Sequence, residues 1–101
     1  MPLWYERVHS AQLDPVPVGS IMPVFYFDYD NGEGLGAARD EIGADLVDVA
    51  AAVVEATQTL TELAADTLLG TAERLLAIMV RDEQGATKAR VSLAFRAEMT
   101  G

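Results

Sequence analysis

The seven residues 24–30, VFYFDYD, decide the fold class predicted for this 101-residue chain. β-Branched and aromatic side chains alternate there with a two-residue period, which is typical of a β-strand. Phe25, Phe27 and Tyr29 share one face, and this face is expected to contact the core. The opposite face carries Val24, Tyr26, Asp28 and Asp30. An Asn-Gly pair follows directly and predicts a turn that needs a positive φ.

The segment after this strand has a weaker pattern and leads into a helix. A short return strand is expected at residues 35–39, among glycines, followed by a second turn at residues 40–43. Asp48 is a suitable N-cap and Gly70 a suitable residue after the C-terminus, so the 21 residues between them are predicted to be helical. The apolar stripe of this helix is expected to comprise Val49, Val53, Leu60, Ala64 and Leu68, widened by Ala50, Val54 and Leu63.

The last third of the chain is predicted to be a β-hairpin. Residues 75–82 form its first strand, Gly85 supplies a left-handed turn position, and residues 86–95 form its second strand. The side chains of the second strand alternate, so one set faces the helix and the other faces away. The first set is Val91, Leu93 and Phe95, and the second is Lys88, Arg90, Ser92 and Arg96.

The expected architecture is an α+β domain in the order β-β-α-β-β, with one long helix packed on one face of a mainly antiparallel sheet. This single domain is predicted to occupy residues 22–101. Residues 1–21, which contain three prolines, are predicted to be an N-terminal extension or arm. One helix leaves the second face of the sheet uncovered, which predicts a dimer or cover from the arm.

Composition and charge exclude several classes of function. The chain has no cysteine, so it has no disulfide, thiolate metal site or cysteine nucleophile. With 16 acidic and 7 basic side chains, its net charge of −9 disfavours binding to nucleic acid. The most apolar stretch, residues 46–69, contains four carboxylates and is not expected to span a membrane. Residues 1–21 lack the apolar region of a signal peptide, so a cytoplasmic protein is expected.

Three carboxylates near the first turn, Asp28, Asp30 and Glu33, suggest a calcium loop. An EF-hand loop that starts at Asp28 needs glycine at its sixth position and an acid at its twelfth, but Glu33 and Arg39 stand there. The EF-hand pattern therefore fails. The alternatives that stay open are a looser divalent-cation site and carboxylates that solvate a hairpin edge.

Two further patterns do not predict catalysis. Residues 32–37 match G-x-G-x-x-A after a strand, but no helix opens there and Glu33 would repel a pyrophosphate, so a turn is expected. His9, with Ser10 and Asp14 nearby, lies in the proline-rich arm, which is a poor platform for a catalytic triad. No catalytic residue, metal ligand or cofactor is therefore predicted, and the protein is not expected to be an enzyme.

The charge is distributed unevenly along the chain. Residues 22–66 hold ten acids and one base (−9), residues 67–101 hold four acids and five bases (+1), and residues 1–21 hold two acids and one base (−1). One interpretation is a solvated helix face, with cations that guard a sheet edge. The other is an interface of complementary charge, between protomers or with a protein partner. The candidate interface residues are Val24, Tyr26, Lys88, Arg90 and Arg96.

Three segments carry a family resemblance: MPVFYFDYDNGEG (22–34), DEIGADLVDVAAA (40–52) and IMVRDEQG (78–85). Over residues 22–96 the chain resembles a family of short alphaproteobacterial proteins described only as a domain of unknown function. The residues at the family's pattern positions are Asp40, Glu41, Gly43, Leu46, Asp48, Arg81, Asp82, Glu83 and Gly85. The chain departs from the pattern at Val47, where proline is usual, and in its N-terminal extension. The resemblance implies the fold and a domain boundary at Met22, and it implies no activity.

The sequence is compatible with two functions of different classes. The first is a non-enzymatic protein-binding or regulatory module that self-associates, as a dimer, without a cofactor. The alternative rests on a strand-strand-helix-strand order that is similar to HicB-type antitoxin domains. In that alternative the chain is an acidic module, or nucleic-acid mimic, that neutralises a basic partner.

Overall fold

The computed structural model describes residues 22–100 of the chain, which contain four strands and one helix. The elements are β1 (Val24–Asp30), β2 (Ala44–Asp45), α1 (Val49–Thr67), β3 (Glu73–Arg81) and β4 (Thr87–Arg96). The sheet has the order β2-β1-β3-β4, and each neighbouring pair is antiparallel. The predicted α+β fold, with one helix packed on the sheet, is confirmed. The predicted arm and its His9 lie outside the described residues.

The core lies between α1 and one face of the sheet. Alternation along β1 buries Phe25 and Phe27, as predicted, and alternation along β3 buries Leu76, Ile78 and Val80 on the same face. Each of these five side chains is at most 4% exposed. Because burial of a side chain of this size contributes about 1.5–3 kcal/mol, these residues hold the two central strands against the helix.

The helix α1 begins where the sequence predicts. Asp48 is its N-cap, and the Asp48 Oδ1 atom accepts a hydrogen bond from the Ala51 N–H at 2.8 Å. The last helical residue is Thr67, and Gly70 follows with a φ of +78°. The helix packs across β3 and β4. Within residues 22–100, no helix is both long and apolar enough to cross a membrane.

The buried face of α1 differs from the predicted stripe. Its buried residues are Ala52, Ala56, Thr59, Leu60, Leu63 and Ala64. The prediction is therefore wrong for Ala50 and Val54, which are exposed, Val54 to 57%. The face is rotated because alanine lets the helix approach the sheet closely, and because Thr59 satisfies its own hydroxyl. That hydroxyl donates to the Glu55 carbonyl at 2.9 Å, so Thr59 is buried without an unpaired polar atom.

The return strand predicted at residues 35–39 is also wrong. One isolated bridge joins Ala38 to Tyr29, whose N–H and C=O groups bond to it at 3.0 and 2.7 Å. The second strand is β2, which pairs with the start of β1. The chain departs from an extended course because Gly34 and Gly36 adopt positive φ angles, which interrupt a strand.

The strands β3 and β4 form the predicted hairpin. Gly85 has a φ of +86°, and its N–H closes the turn on the Asp82 carbonyl at 3.1 Å. The register shifts at the end of β3, which leaves Lys88 as an extra residue in β4. From residue 89 to residue 96 the pairing is regular, and β4 is the terminal strand of the described sheet.

Candidate functional site

The predicted interface lies on the face of the sheet opposite α1, called the outer face below. Cross-strand pairing places Tyr26 beside Arg81, Met79 beside Arg90, and Ala77 beside Ser92 on this face. Its side chains are Val24, Tyr26, Asp28, Asp30, Leu75, Ala77, Met79, Arg81, Arg90, Ser92, Ala94 and Arg96. Among the described elements, none crosses the outer face, because α1 packs on the other side.

A charged cluster occupies the β1 side of the outer face. The guanidinium of Arg81 donates from Nε to Asp28 Oδ2 at 3.0 Å and from Nη2 to Asp28 Oδ1 at 3.3 Å. The same Nη2 donates to the Asp40 carbonyl at 2.8 Å, and the guanidinium carbon lies 4.6 Å from the centroid of the Tyr26 ring. The hydrogen bond and charge of Asp28 raise the pKa of Arg81. Arg81 therefore joins two strands and a loop through one planar group.

Asp40 is the second centre of this cluster, and it is 1% exposed. Its Oδ2 accepts the Phe27 N–H at 3.2 Å, and its Oδ1 accepts the N–H groups of Ile42 at 3.0 Å and Gly43 at 3.2 Å. Its own N–H donates to Asp28 Oδ1 at 2.9 Å. A buried carboxylate with several N–H donors is compensated for its lost hydration. Asp40 thus fixes the 40–43 turn against β1.

Gly43 completes the turn for two separate reasons. Its φ of +78° is a conformation that residues with a Cβ rarely adopt. A Cβ at this position would also lie 2.6 Å from Val24 Cγ1 and 2.9 Å from Tyr26 Cε1. Two of the predicted interface residues, Val24 and Tyr26, are therefore packed against this glycine.

A shallow, open depression of about 270 Å³ lies beside the cluster and is lined by Tyr26, Arg39, Asp40, Glu41, Arg81 and Glu83. Arg81 and Asp40 at its floor already bond to each other. At its rim, Glu83 Oε1 accepts the Val24 N–H at 3.3 Å. The bonds of Arg81 and Asp40 hold the loop on the sheet, while the side chains of Arg39 and Glu41 are exposed.

Of the predicted interface residues, Val24, Tyr26, Arg90 and Arg96 share the outer face, and Lys88 is the extra residue of β4. They form two groups. Val24 and Tyr26 belong to the cluster, and β3 separates them from the cations of β4, a distance of about 10 Å for two strand spacings. Lys88 Nζ lies 3.6 Å from Asp82 Oδ2, and Arg96 Nη2 lies 2.7 Å from Glu98 Oε1. The remaining cation on β4 is Arg90, which is exposed.

Among residues 22–100, no strand pairs with the outer side of β4, which is therefore an open edge of the described sheet. Seven of its ten residues are exposed and three are half-buried. The Ala97 N–H donates to the Ala72 carbonyl at 2.7 Å, in register with the β3–β4 ladder. Bonded and non-bonded residues alternate in an antiparallel ladder, so odd-numbered residues from 89 to 97 bond to β3. The N–H and C=O groups of residues 90, 92, 94 and 96 therefore point to the open edge.

The other candidate chemistry of the sequence is dispersed. Asp28 binds Arg81, Asp30 Oδ1 accepts the Gly32 N–H at 2.9 Å, and Glu33 pairs with Arg74 at 3.6 Å. Within residues 22–100, no three acidic or histidine side chains are placed to hold a metal ion. Residues 32–37 form a loop, and the next helix starts at residue 49. The G-x-G-x-x-A match is thus a turn, as the sequence predicts.

Two residues of the cluster, Asp40 and Arg81, enter the sequence pattern only as motif positions in a turn and at a strand end. A signal for their role does exist. Arg81 is the one charged residue in the last six of β3 and faces the side of β1 that ends in carboxylates. An acid at the first position of a turn, with a glycine three residues later, is typical of a side chain that caps its own turn.

A family model described as "Domain of unknown function (DUF6894)" matches residues 24–94. The chain belongs to this family. The resemblance inferred from residues 22–96 is therefore confirmed, and the DUF6894 match contains the whole charged cluster and most of β4. No curated protein and no solved structure matches the chain.

Proposed function

We propose that this DUF6894 domain is a non-enzymatic protein-binding module that self-associates. The observation that carries the proposal is the open edge of β4, a ten-residue strand that is exposed along most of its length. Monomeric proteins usually shorten, cover or break such an edge, because its free N–H and C=O groups pair with another strand. Strand addition at an open edge is also a common mode of protein recognition.

The charged cluster supports a role other than catalysis. A general acid or base must exchange a proton with a substrate, and so must present its reactive atom to that substrate. Here Asp28 is engaged by Arg81 and by the Asp40 N–H, and the Asp40 carboxylate accepts three backbone N–H groups. These bonds give the cluster a structural task, which is to hold the 40–43 turn on the sheet.

The acidic nucleic-acid-mimic alternative is less well supported. It needs carboxylates that point outward to a basic partner. At least five of the ten acids in residues 22–66 instead bond within the chain. They are Asp28, Asp30, Glu33, Asp40 and Asp48.

We further propose a cytoplasmic location, as expected from the sequence, and cell fractionation tests it.

Size-exclusion chromatography with light scattering tests self-association of the full chain at micromolar concentration. We expect a mass of twice the 10.8 kDa chain. The measurement is repeated at high salt, where a dimer held mainly by backbone hydrogen bonds and apolar contacts persists and one held by surface ion pairs weakens. A single-chain mass at every concentration would contradict the proposal.

A further inference from the structure

We propose that two copies of the chain pair their β4 strands antiparallel, about a twofold axis that passes through Ser92. The pairing joins two four-stranded sheets into one continuous sheet of eight strands. This inference rests on the proposed self-association, and it adds the surface and the register through which the copies meet. The backbone, the apolar side chains and the charges of β4 each support it.

The backbone of β4 is arranged for this pairing. The N–H and C=O groups of Arg90, Ser92 and Ala94 point to the open edge, because the odd-numbered residues bond to β3. With Ser92 on the axis, Ser92 faces the partner's Ser92, and Arg90 faces the partner's Ala94. Directly opposite residues of this kind exchange two hydrogen bonds. Each residue whose N–H and C=O groups point to the open edge thus lies opposite such a residue of the other copy.

The helix-side residues of β4 are apolar and would meet one another. In this register Val91 lies opposite the partner's Leu93, and Ala89 lies opposite the partner's Phe95. Leu93 is 36% exposed in the single chain, while Ala89, Val91 and Phe95 are half-buried. Cross-strand apolar pairs stabilise a sheet, and these pairs extend the existing core across the axis.

The charges at the ends of β4 are already balanced for self-pairing. Lys88 comes close to the partner's Arg96, which alone would be repulsive. However, each cation is already paired with a carboxylate. Lys88 Nζ lies 3.6 Å from Asp82 Oδ2, and Arg96 Nη2 lies 2.7 Å from Glu98 Oε1. Each end of the paired strands therefore holds two cations and two carboxylates. Arg90 lies opposite an alanine, so no like charge stands directly across from it.

The same features disfavour the neighbouring registers. An axis through Val91 allows regular pairing only over residues 89–93, because the extra residue Lys88 interrupts the strand. An axis through Leu93 places the exposed Arg90 opposite the partner's Arg96, which is destabilising. The axis through Ser92 leaves residues 89–95 in regular pairing and places no cation directly opposite Arg90.

Disulfide trapping tests the register, since the chain has no cysteine of its own. Ser92→Cys places two thiols on the axis, where directly opposite, hydrogen-bonded residues have Cα atoms about 5.5 Å apart. This spacing lies within the range that disulfides span. We expect Ser92→Cys to form a covalent dimer under mild oxidation, seen on a non-reducing gel. Ala94→Cys is the matched control on the same face and strand, and it should stay single-chain.

The outcomes separate this inference from the proposed function. A wild-type dimer in light scattering without a Ser92→Cys disulfide overturns the β4 register and leaves self-association standing. A disulfide in Val91→Cys or Leu93→Cys, in place of Ser92→Cys, identifies another register and also overturns it. A wild-type chain that stays monomeric overturns both the β4 pairing and the proposed self-association. This holds whether its own N-terminal segment or solvent covers the edge. Circular dichroism of each variant establishes that it is folded.

Discussion

Arg81 and Asp28 form a two-bond ion pair diagonally across β1 and β3, with Nε–Oδ2 and Nη2–Oδ1 distances of 3.0 and 3.3 Å. The same guanidinium reaches the Asp40 carbonyl, and Asp28 accepts the Asp40 N–H. β2 has two residues, so backbone pairing alone holds little of this edge. The side-chain bonds of Arg81 and Asp28 therefore hold the loop before β2 on the sheet, where few backbone hydrogen bonds do so.

Asp40→Ala tests the carboxylate at the centre of this loop. The substitution leaves the buried N–H groups of Phe27 and Gly43 without an acceptor. We expect the free energy of unfolding to fall by about 3 kcal/mol or more, since each unsatisfied buried group costs roughly 1–3 kcal/mol. Urea unfolding followed by circular dichroism measures it. Glu41→Ala, one residue away and exposed, is the control and should change stability by less than about 0.5 kcal/mol.

Gly43→Ala tests the close contact of the turn with Val24 and Tyr26. The alanine would have to adopt a left-handed φ, and its Cβ would lie within 3 Å of both side chains. We expect a loss of about 2–5 kcal/mol in unfolding free energy, from backbone strain and overpacking together. Gly34→Ala has the same φ of +78° with no atom within 4 Å, so it should lose only about 1–2 kcal/mol. Equal losses for both variants would show that the contact is unimportant.

Arg81→Lys tests whether the planar guanidinium, rather than its charge, holds the cluster. Lysine keeps the positive charge but cannot bond in two directions to Asp28 while it reaches the Asp40 carbonyl. We expect a loss of about 1–2 kcal/mol in unfolding free energy from the missing hydrogen bonds. Arg90→Lys on the exposed part of β4 is the matched control, with a change below about 0.5 kcal/mol. If Arg81→Lys is as stable as the wild type, charge alone is sufficient.

The strands and the helix start could be predicted from the sequence because their signals are local. Alternation in VFYFDYD defines β1. Asp48 caps the helix because its carboxylate accepts the N–H of Ala51, three residues later. The hairpin is likewise specified by Gly85 and its flanking apolar strands. These elements need no knowledge of distant residues, so periodicity and turn chemistry are sufficient.

The cluster and the buried face of α1 could not be predicted in this way, because they depend on distant contacts. Asp40 is 13 residues from its Phe27 donor, and Arg81 is 53 residues from Asp28. The helix buries Ala52 and Thr59 and exposes Val54, since the sheet selects small side chains for close approach. A hydrophobicity pattern ranks valine above alanine and threonine, so it rotates the stripe in the wrong direction.

Asp82→Asn tests the acid sensitivity of the β3–β4 turn. The Asp82 Oδ1 atom accepts the N–H groups of Ala86 and Gln84, both at 2.9 Å, and the Ala86 bond is the main cause that lowers the Asp82 pKa. A carboxyl whose pKa is lowered on folding adds stability above its unfolded pKa, and this stability is lost as the pH falls through the folded pKa. The window therefore lies below about pH 4.

Asparagine keeps the accepting oxygen and does not titrate, so Asp82→Asn should lose less thermal stability than the wild type between pH 5 and the acid limit of folding. Thermal melts in this range measure the difference. Asp66→Asn removes the same charge from an exposed position on α1 and controls for net charge. An identical pH dependence in wild type and Asp82→Asn would argue against a role for this carboxyl.

Ser92→Pro tests whether the open edge of β4 carries self-association without disturbing the chain's own sheet. The Ser92 N–H points away from β3, so proline there removes a donor from the edge alone, and proline is tolerated at such edge positions. We expect a folded chain of single-chain mass in light scattering. Leu93→Pro is the contrasting variant, because it removes a β3–β4 hydrogen bond and should lower unfolding stability by a further 1–3 kcal/mol or so. A Ser92→Pro chain that is folded and still dimeric would place self-association on a surface other than β4.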